Sequence, residues 1–200
     1  PFCTIDPNVG IVPVADPRLN ILSEIVKSAR VIPTTMEFVD IAGLGKGASK
    51  GEGLGNQFLA NIRETDAILH VLRCFDNDNI IHVDGNINPI RDKETIDMEL
   101  QLKDLETVDK KLEKVKRAAK TGNKDAQKEE AVLLRIKENL EAGVSMRALE
   151  FTEDDYEDFV KPSQFITEKP VMYVCNVDEG SAVSGNKYVD LVKEAVKDEK

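Results

Sequence analysis

At 200 residues and 41% hydrophobic, the chain is long enough to bury one core with an appended subdomain. Its net charge of −10 argues against a general binder of nucleic-acid backbones and leaves room only for a local basic face. There is no run of about 18 apolar residues and no charged-then-apolar leader, so neither a membrane span nor a secretory signal is expected.

The cysteines, Cys3, Cys74 and Cys175, are odd in number, and two lie in apolar strand-like runs. They read as buried free thiols of a reducing cytosol rather than as a disulfide or metal framework. His70 and His82 have no ligand-like spacing, and His70, inside a strand pattern, reads as structural. The first residue is Pro1 rather than Met and the chain starts mid-pattern, so a piece of something longer is expected.

In chain order, residues 1 to 10 are a turn-rich lead-in to a strand at about Gly10 to Val14. Asp16-Pro17 is a helix start, with Asp as N-cap and Pro at the first helical position. Leu19, Leu22, Ile25 and Val26 follow at helical spacing. Met36 to Val39 is a short apolar strand that runs into Asp40, and Gly43 comes three residues later. Half of the chain's 12 glycines then lie between Gly43 and Gly55.

Apolar strand, Asp, two spacers, Gly and a loose loop form the pattern of a phosphate-sensing switch. At the carboxyl edge of an α/β sheet, Asp40 can hold a magnesium ion, usually through water. A glycine N–H at Gly43 can approach a terminal phosphate because no Cβ blocks it. The rival is a glycine-rich surface turn between a strand and a helix. A dinucleotide-binding loop of an oxidoreductase does not fit, since Gly-x-Gly-x-x-Gly never occurs in frame after the strand. Nor does this loop hold a P-loop, because Gly47 follows Lys46 where Ser or Thr is required.

Leu54, Phe58, Leu59 and Ile62 predict a short amphipathic helix. Ala67 to Phe75 is a continuous apolar run, as expected for a strand buried on both faces of a parallel sheet. Strand, helix, strand, helix, strand indicates an α/β fold. From Asp92 to Ala142 the character changes, with 12 basic and 13 acidic residues among 51. Leu102, Leu105, Val108, Leu112, Val115 and Ala119 step by threes and fours, a coiled-coil seam. Thr121-Gly122-Asn123 breaks it, and a second helix carries Leu133, Ile136 and Leu140 to Gly143. These elements predict an antiparallel helical hairpin projecting from the sheet domain. It reads either as a solvated structural arm or as a docking arm for a large partner.

Residues 153 to 166 are acidic and short-helical, with Pro162 as a breaker. Val171 to Cys175 is the next strand, ending in Asn176-Val177-Asp178-Glu179, and Gly185-Asn186 opens a final amphipathic helix. In nucleotide switches an Asn at such a strand end meets the N7 edge of the purine. A carboxylate three residues on reads the base's donors, because an ionised carboxylate can only accept. A strand-end Asn that merely caps a turn is the alternative.

The segments Pro1 to Ile5, Phe38 to Leu44, Gly47 to Asn56, Asn61 to Ala67 and Asn176 to Glu179 resemble the YchF family of Obg-like ATPases. That family sits in the Obg branch of translation-factor-type P-loop NTPases, and the resemblance covers essentially all 200 residues. It implies a G-domain-like, mostly parallel sheet with helices on both faces and an inserted antiparallel coiled-coil hairpin. The implied division is residues 1–91 and 145–200 for the nucleotide domain and 92–144 for the hairpin. Thr4 matches the switch I threonine that reaches magnesium and the terminal phosphate, and Asp40 and Gly43 match switch II. Leu44 occupies the position where many relatives carry a water-orienting glutamine; leucine cannot do this by hydrogen bonding, so another group must. Asn176, Val177 and Glu179 match the family's Asn-x-x-Glu, in place of the commoner Asn-Lys-x-Asp. Both changes weaken guanine selection, consistent with the family's preference for ATP over GTP. Asp178 is one place too early to read the base.

The family's Gly-x-x-x-x-Gly-Lys-Ser loop is expected a helix's length before Pro1, and it does not occur within the 200 residues. A further strand with a second base-binding segment and a small TGS domain are expected after the last helix. That phosphate loop supplies most of the phosphate cradle. These 200 residues taken alone are therefore expected to fold poorly and neither to bind nucleotide tightly nor to hydrolyse it. The parent is expected to be a cytoplasmic Mg2+-dependent ATPase, weaker on GTP, that associates with the ribosome (large subunit, or whole 70S or 80S). Neither a membrane nor sequence-specific DNA is expected as a partner. The competing expectation is a non-enzymatic interaction module acting through the hairpin.

Overall fold

Asp16 and Pro17 open the first helix by two devices. The Asp16 carboxylate accepts the Arg18 N–H at 3.0 Å, and the fixed φ of Pro17 suits the first helical position. The computed structural model describes residues 8–41, 55–77 and 86–199, with backbone alone at 55–57. The chain divides into two compact units, Pro1–Gly43 and Leu44–Lys200.

In the first unit, β1 (Asn8–Pro13) leads through α1 (Pro17–Val26) to β2 (Thr35–Asp40). The two strands pair antiparallel, with Asn8 opposite Asp40 and Pro13 opposite Thr35. Pro13 falls at the strand's end, where its missing N–H is tolerated. The helix ends at Lys27, which takes the left-handed conformation at φ 48°. No residue of α1 is buried, and Leu22, Ile25 and Val26, which recur at helical spacing, are exposed.

The second unit begins with α2 (Gly55–Arg63), whose Phe58, Leu59 and Ile62 are buried as their spacing requires. Strand β3 (Ile68–Arg73) pairs parallel with β4 (Val171–Asn176), from Ile68 opposite Val171 to Arg73 opposite Asn176. One face of this pair packs Leu72, with Tyr173, Cys175 and Cys74 of the following loop, against Val189 and Val192 of the last helix, α6 (Lys187–Val196). The other face carries Leu69, Val71, Met172 and Val174, all exposed. The expectation that β3 is buried on both faces is thus corrected among the described residues. Its apolar run reflects the parallel pairing, and only alternate side chains meet the α6 layer. Among the described strands one pair is parallel and one antiparallel.

Between β3 and β4 lies the hairpin, α3 (Pro89–Lys120) and α4 (Lys124–Glu141). Asn88 caps α3 by accepting from the Arg91 N–H, with Pro89 next. Gly122 turns the chain at φ 85°, with open space where a Cβ would stand, so the backbone angle and not crowding calls for glycine. Asn123 then caps α4 through the Ala126 N–H. Gln127 reaches the Ala119 carbonyl, Lys137 pairs with Asp109, and Gln101 reaches the Gly143 carbonyl. Residues ascending along one helix therefore meet residues descending along the other, as an antiparallel hairpin requires.

The largest core cluster among the described residues runs through the hairpin: Val108 and Leu112 of α3, Val132, Leu133, Ile136 and Leu140 of α4, then Met146, Val160 and Phe165. Each fully buried aliphatic side chain there contributes about 1.5–3 kcal/mol of transfer free energy. The seam departs from its expected path in one place. Leu102 is exposed, whereas Leu100 and Asp104, two residues before and after it and so on the opposite face of the helix, are buried. From Asp104 to Val108 and Leu112 the contact line is a strict i, i+4 row with a carboxylate in its first position. A short segment of helical turns follows: α5 (Glu153–Asp155), then Tyr156–Val160 and Lys161–Ser163.

Candidate functional site

Because β3 and β4 run parallel, their carboxyl ends share one edge, and two loops leave the sheet there. The Cys74 N–H extends the ladder to the Asn176 carbonyl at 2.7 Å. Beyond it, Asn176 is exposed and Val177 is partly buried against the cluster of Leu72, Cys74 and Val192. Glu179 is exposed at the start of a 3-10 turn, Glu179–Ser181. Asp178 caps that turn, accepting from the Ser181 N–H at 2.9 Å and the Ser181 Oγ at 3.1 Å. Its two oxygens are thus committed to holding the loop, and Glu179 presents an exposed carboxylate.

A residue the sequence marked only as a helix opener also holds this edge. The Asn186 Nδ2 donates to the Cys74 carbonyl at 2.7 Å while its Oδ1 accepts from the Tyr188 and Val189 N–H groups. One side chain thereby caps α6 and ties it to the end of β3. The Tyr188 hydroxyl adds a bond to Asp76 at 2.6 Å. Asn as N-cap is legible from sequence; its second bond, 112 residues away, is not.

Of the other expected site residues, Asp40 ends β2 in the first unit and is exposed. Its hard carboxylate oxygen is the donor type that Mg2+ takes, which fits the expected role. Thr4, Gly43, Leu44 and most of the glycine loop lie outside the described residues, as do Cys3 and His82. No group of three or more His, Cys, Asp or Glu placed to hold a metal occurs among the described residues. No helix among them is long and apolar enough to cross a membrane. His70, at β3, packs its ring 5.7 Å from that of Tyr173, and burial pushes its pKa down, as suits a neutral structural imidazole.

A parallel strand pair backed by α6, with Asn-x-x-Glu at its carboxyl edge and a long helical insertion between the strands, places the chain in the G-domain class of α/β folds. The model of the family described as 50S ribosome-binding GTPase matches residues 1–177, and the chain belongs to that family. It is similar to proteins named Ribosome-binding ATPase YchF. That of Escherichia coli O157:H7 is 55% identical over 194 residues, 97% of this chain and 53% of the relative. That of Bacillus subtilis is 52% identical over 196 residues, with the same coverage of each. Among solved structures, the Schizosaccharomyces pombe YchF GTPase superposes with a TM-score of 0.79 at 37% identity, over 98% of this chain and 54% of that one. The chain spans about half the length of the curated relatives it matches.

Proposed function

We propose that the whole protein is a nucleotide-dependent switch that binds Mg-ATP, and GTP more weakly, and hydrolyses it slowly by attack of water on the γ-phosphate. The observation that carries this reading is the edge at β4. Asn176 and Glu179 stand exposed at the carboxyl end of a parallel pair, while Val177 between them is packed inward. Open α/β sheets bind their ligands at that edge. Asn176 would meet the purine ring and Glu179 would accept from its exocyclic donor.

Thr4 and Asp40 would hold Mg2+, which when bound supplies charge neutralisation to the phosphates. Gly43 would offer its N–H to the terminal phosphate. Leu44, at the position of the usual glutamine, would not orient water by hydrogen bonding, so another group would have to. Catalysis then rests on positioning and charge, with no protein nucleophile. The nucleotide domain would comprise residues 1–91 and 145–200, with 92–144 inserted as the arm.

The names of the relatives support a ribosomal partner, the large subunit or the whole particle, and hence a cytoplasmic setting. The test is a titration of Mg-ATP into the whole protein. Saturable binding that weakens at least tenfold in Asp40→Ala supports the reading, and its absence in the unaltered protein sinks it. Residues 1–200 alone, which contain no Gly-x-x-x-x-Gly-Lys-Ser/Thr segment, are expected to give no saturable binding.

A further inference from the structure

We infer that Arg63 is a positioning residue of the nucleotide site, tying the helix that leaves the glycine loop to α3 and to the approach of β4. The inference rests on the switch reading above and names the side chain through which that switch reaches the strand of Asn176. In sequence, α2 begins at Gly55, directly behind the loop that follows Asp40 and Gly43. A displacement of that loop by a phosphate is therefore passed first to α2. Phe58, Leu59 and Ile62 are buried, so α2 can shift only as a packed unit.

Arg63 ends the helix, and its Nη2 donates to the Thr107 Oγ1 on α3 at 3.1 Å, 44 residues on. The Thr107 hydroxyl spends its own proton on the Lys103 carbonyl at 3.2 Å, so it stands as an acceptor toward Arg63. Asp104 lies three residues before Thr107, on the same face of α3. It holds the Ile166 and Thr167 N–H groups, and Lys169 returns from that segment to the Thr65 carbonyl, two residues beyond Arg63. The Pro170 carbonyl then accepts from the Ile68 N–H at 2.9 Å, where β3 and β4 begin their ladder. Arg63, Thr107, Asp104, Thr167, Lys169 and Thr65 thus close a ring around the end of α2. One side leads back to the glycine loop and another forward to Asn176.

The ring is incomplete at one atom. The Arg63 Nε is buried and has no hydrogen-bond partner among the described residues. A buried donor left without an acceptor costs free energy, and a joint made only for stability would supply one. A guanidinium fork matches a carboxylate with two parallel bonds. Asp104 is the carboxylate beside Thr107, but both of its oxygens are occupied by the Ile166 and Thr167 donors. Two sets of donors therefore compete for one buried anion. In the arrangement seen, the 166–167 segment holds it and Arg63 bonds a hydroxyl instead. A shift of α2 toward α3 gives Asp104 to the Arg63 fork and frees the Ile166 and Thr167 N–H groups. Discrete alternatives of this kind are what coupling between sites requires.

The test is amide hydrogen exchange of the whole protein over residues 160–170, with and without a non-hydrolysable Mg-ATP analogue. In the unaltered protein the analogue is expected to speed exchange at Ile166 and Thr167 by about fivefold or more. Arg63→Gln keeps a donor for Thr107 but loses the charge and the fork, and is expected to abolish that response. Arg63→Lys keeps the charge without the fork and is expected to abolish it too, while the analogue's dissociation constant stays within about threefold in both. Thr107→Val, which folds without touching Arg63 itself, removes the acceptor of the arrangement seen. It is expected to speed exchange at these two amides without any analogue, with the α4 amides keeping their rates. A response that persists in Arg63→Gln, or unchanged exchange in Thr107→Val, overturns the inference and leaves the ring a static staple. So does an unaltered protein that binds the analogue with no change at Ile166 and Thr167. Failure of the switch reading shows separately, as an unaltered protein that binds no analogue, and the inference then falls with it.

Discussion

The carboxylate of Asp104 on α3 holds Thr167 twice, accepting its backbone N–H at 2.8 Å and its hydroxyl at 2.7 Å. The other oxygen accepts the Ile166 N–H at 2.9 Å. All of this lies at zero or near-zero exposure, so the first free N–H groups of the 3-10 turn Ile166–Glu168 end on a buried anion. Burial pushes the Asp104 pKa upward, opposed by the donors on Thr167 and Ile166 and by the nearby Arg63 charge. Through this contact the foot of the hairpin is fixed to the segment leading into β4, the strand that carries Asn176.

Asp104→Ala leaves three buried donors unmatched and is expected to cost about 3 kcal/mol or more in urea unfolding. Asp104→Asn, which keeps an acceptor but adds donors to a site already full of them, is expected to cost about 1–3 kcal/mol. In a double-mutant cycle with Thr167→Val the two losses combine less than additively, because the partners share one network. Additive losses would show the contact to be idle.

Cys74 is fully buried beside Cys175, and its thiol is pushed up to about 12, by burial first and then by its neighbour. The thiolate is the reactive species, so Cys74 is expected to resist alkylation in the native protein at pH 8 and to react fully in denaturant. Mass spectrometry after iodoacetamide treatment reads this directly. Rapid native labelling at Cys74 would show that α6 opens from the sheet.

The elements whose signals are local were legible in the sequence. Asp16-Pro17 starts a helix, Gly122-Asn123 ends one and caps the next, and Asn176 stands at a strand end, as the residues require. What escaped depends on distant partners. The periodicity chose Leu102 for the seam, because a leucine outranks an aspartate wherever the surroundings are unknown. Asp104 is buried only because Ile166 and Thr167, 62 and 63 residues away, bring donors to it. The apolar run at β3 likewise could not tell that Leu69 and Val71 face away from the packed layer. At the candidate site, the positions of Asn176 and Glu179 were readable; the clamp from Asn186 to the Cys74 carbonyl was not.

Glu199 gathers Lys93 at 2.5 Å, the Tyr173 hydroxyl at 2.5 Å and Arg147 at 3.5 Å, closing the end of the chain onto α3 and β4. Burial acts to raise its pKa, but the bonds from Lys93 and Tyr173 outweigh it, and the net shift is downward from 4.5. A carboxyl depressed in the folded state stabilises it above the unfolded value. The contribution is therefore full at neutral pH and is lost as pH falls below about 4.5 through the lowered folded value. Glu199→Gln is expected to cost about 2 kcal/mol at pH 7 and to flatten this acid limb of the stability curve. Parallel curves for the two proteins between pH 6 and pH 3 would refute the assignment.

Glu179 and Asp178 are adjacent carboxylates with separable tasks, and nucleotide preference distinguishes them. Glu179 is exposed and presents its carboxylate outward, while Asp178 is spent on the Ser181 N–H and Oγ. If Glu179 reads the base, Glu179→Asp shortens the acceptor toward the guanine-reading pattern. In the whole protein the ratio of GTP to ATP dissociation constants is then expected to fall about tenfold, close to 1.4 kcal/mol of discrimination. Asp178→Ala removes the cap instead and is expected to cost about 1 kcal/mol of stability with the ratio unchanged. Val177→Lys, the other step toward the commoner motif, is a poor probe because Val177 packs against Leu72 and Val192 and a lysine there disturbs the core. A ratio that moves with Asp178 and not with Glu179 would reassign the base contact to the earlier carboxylate. A ratio that moves with neither would take the base away from this loop altogether.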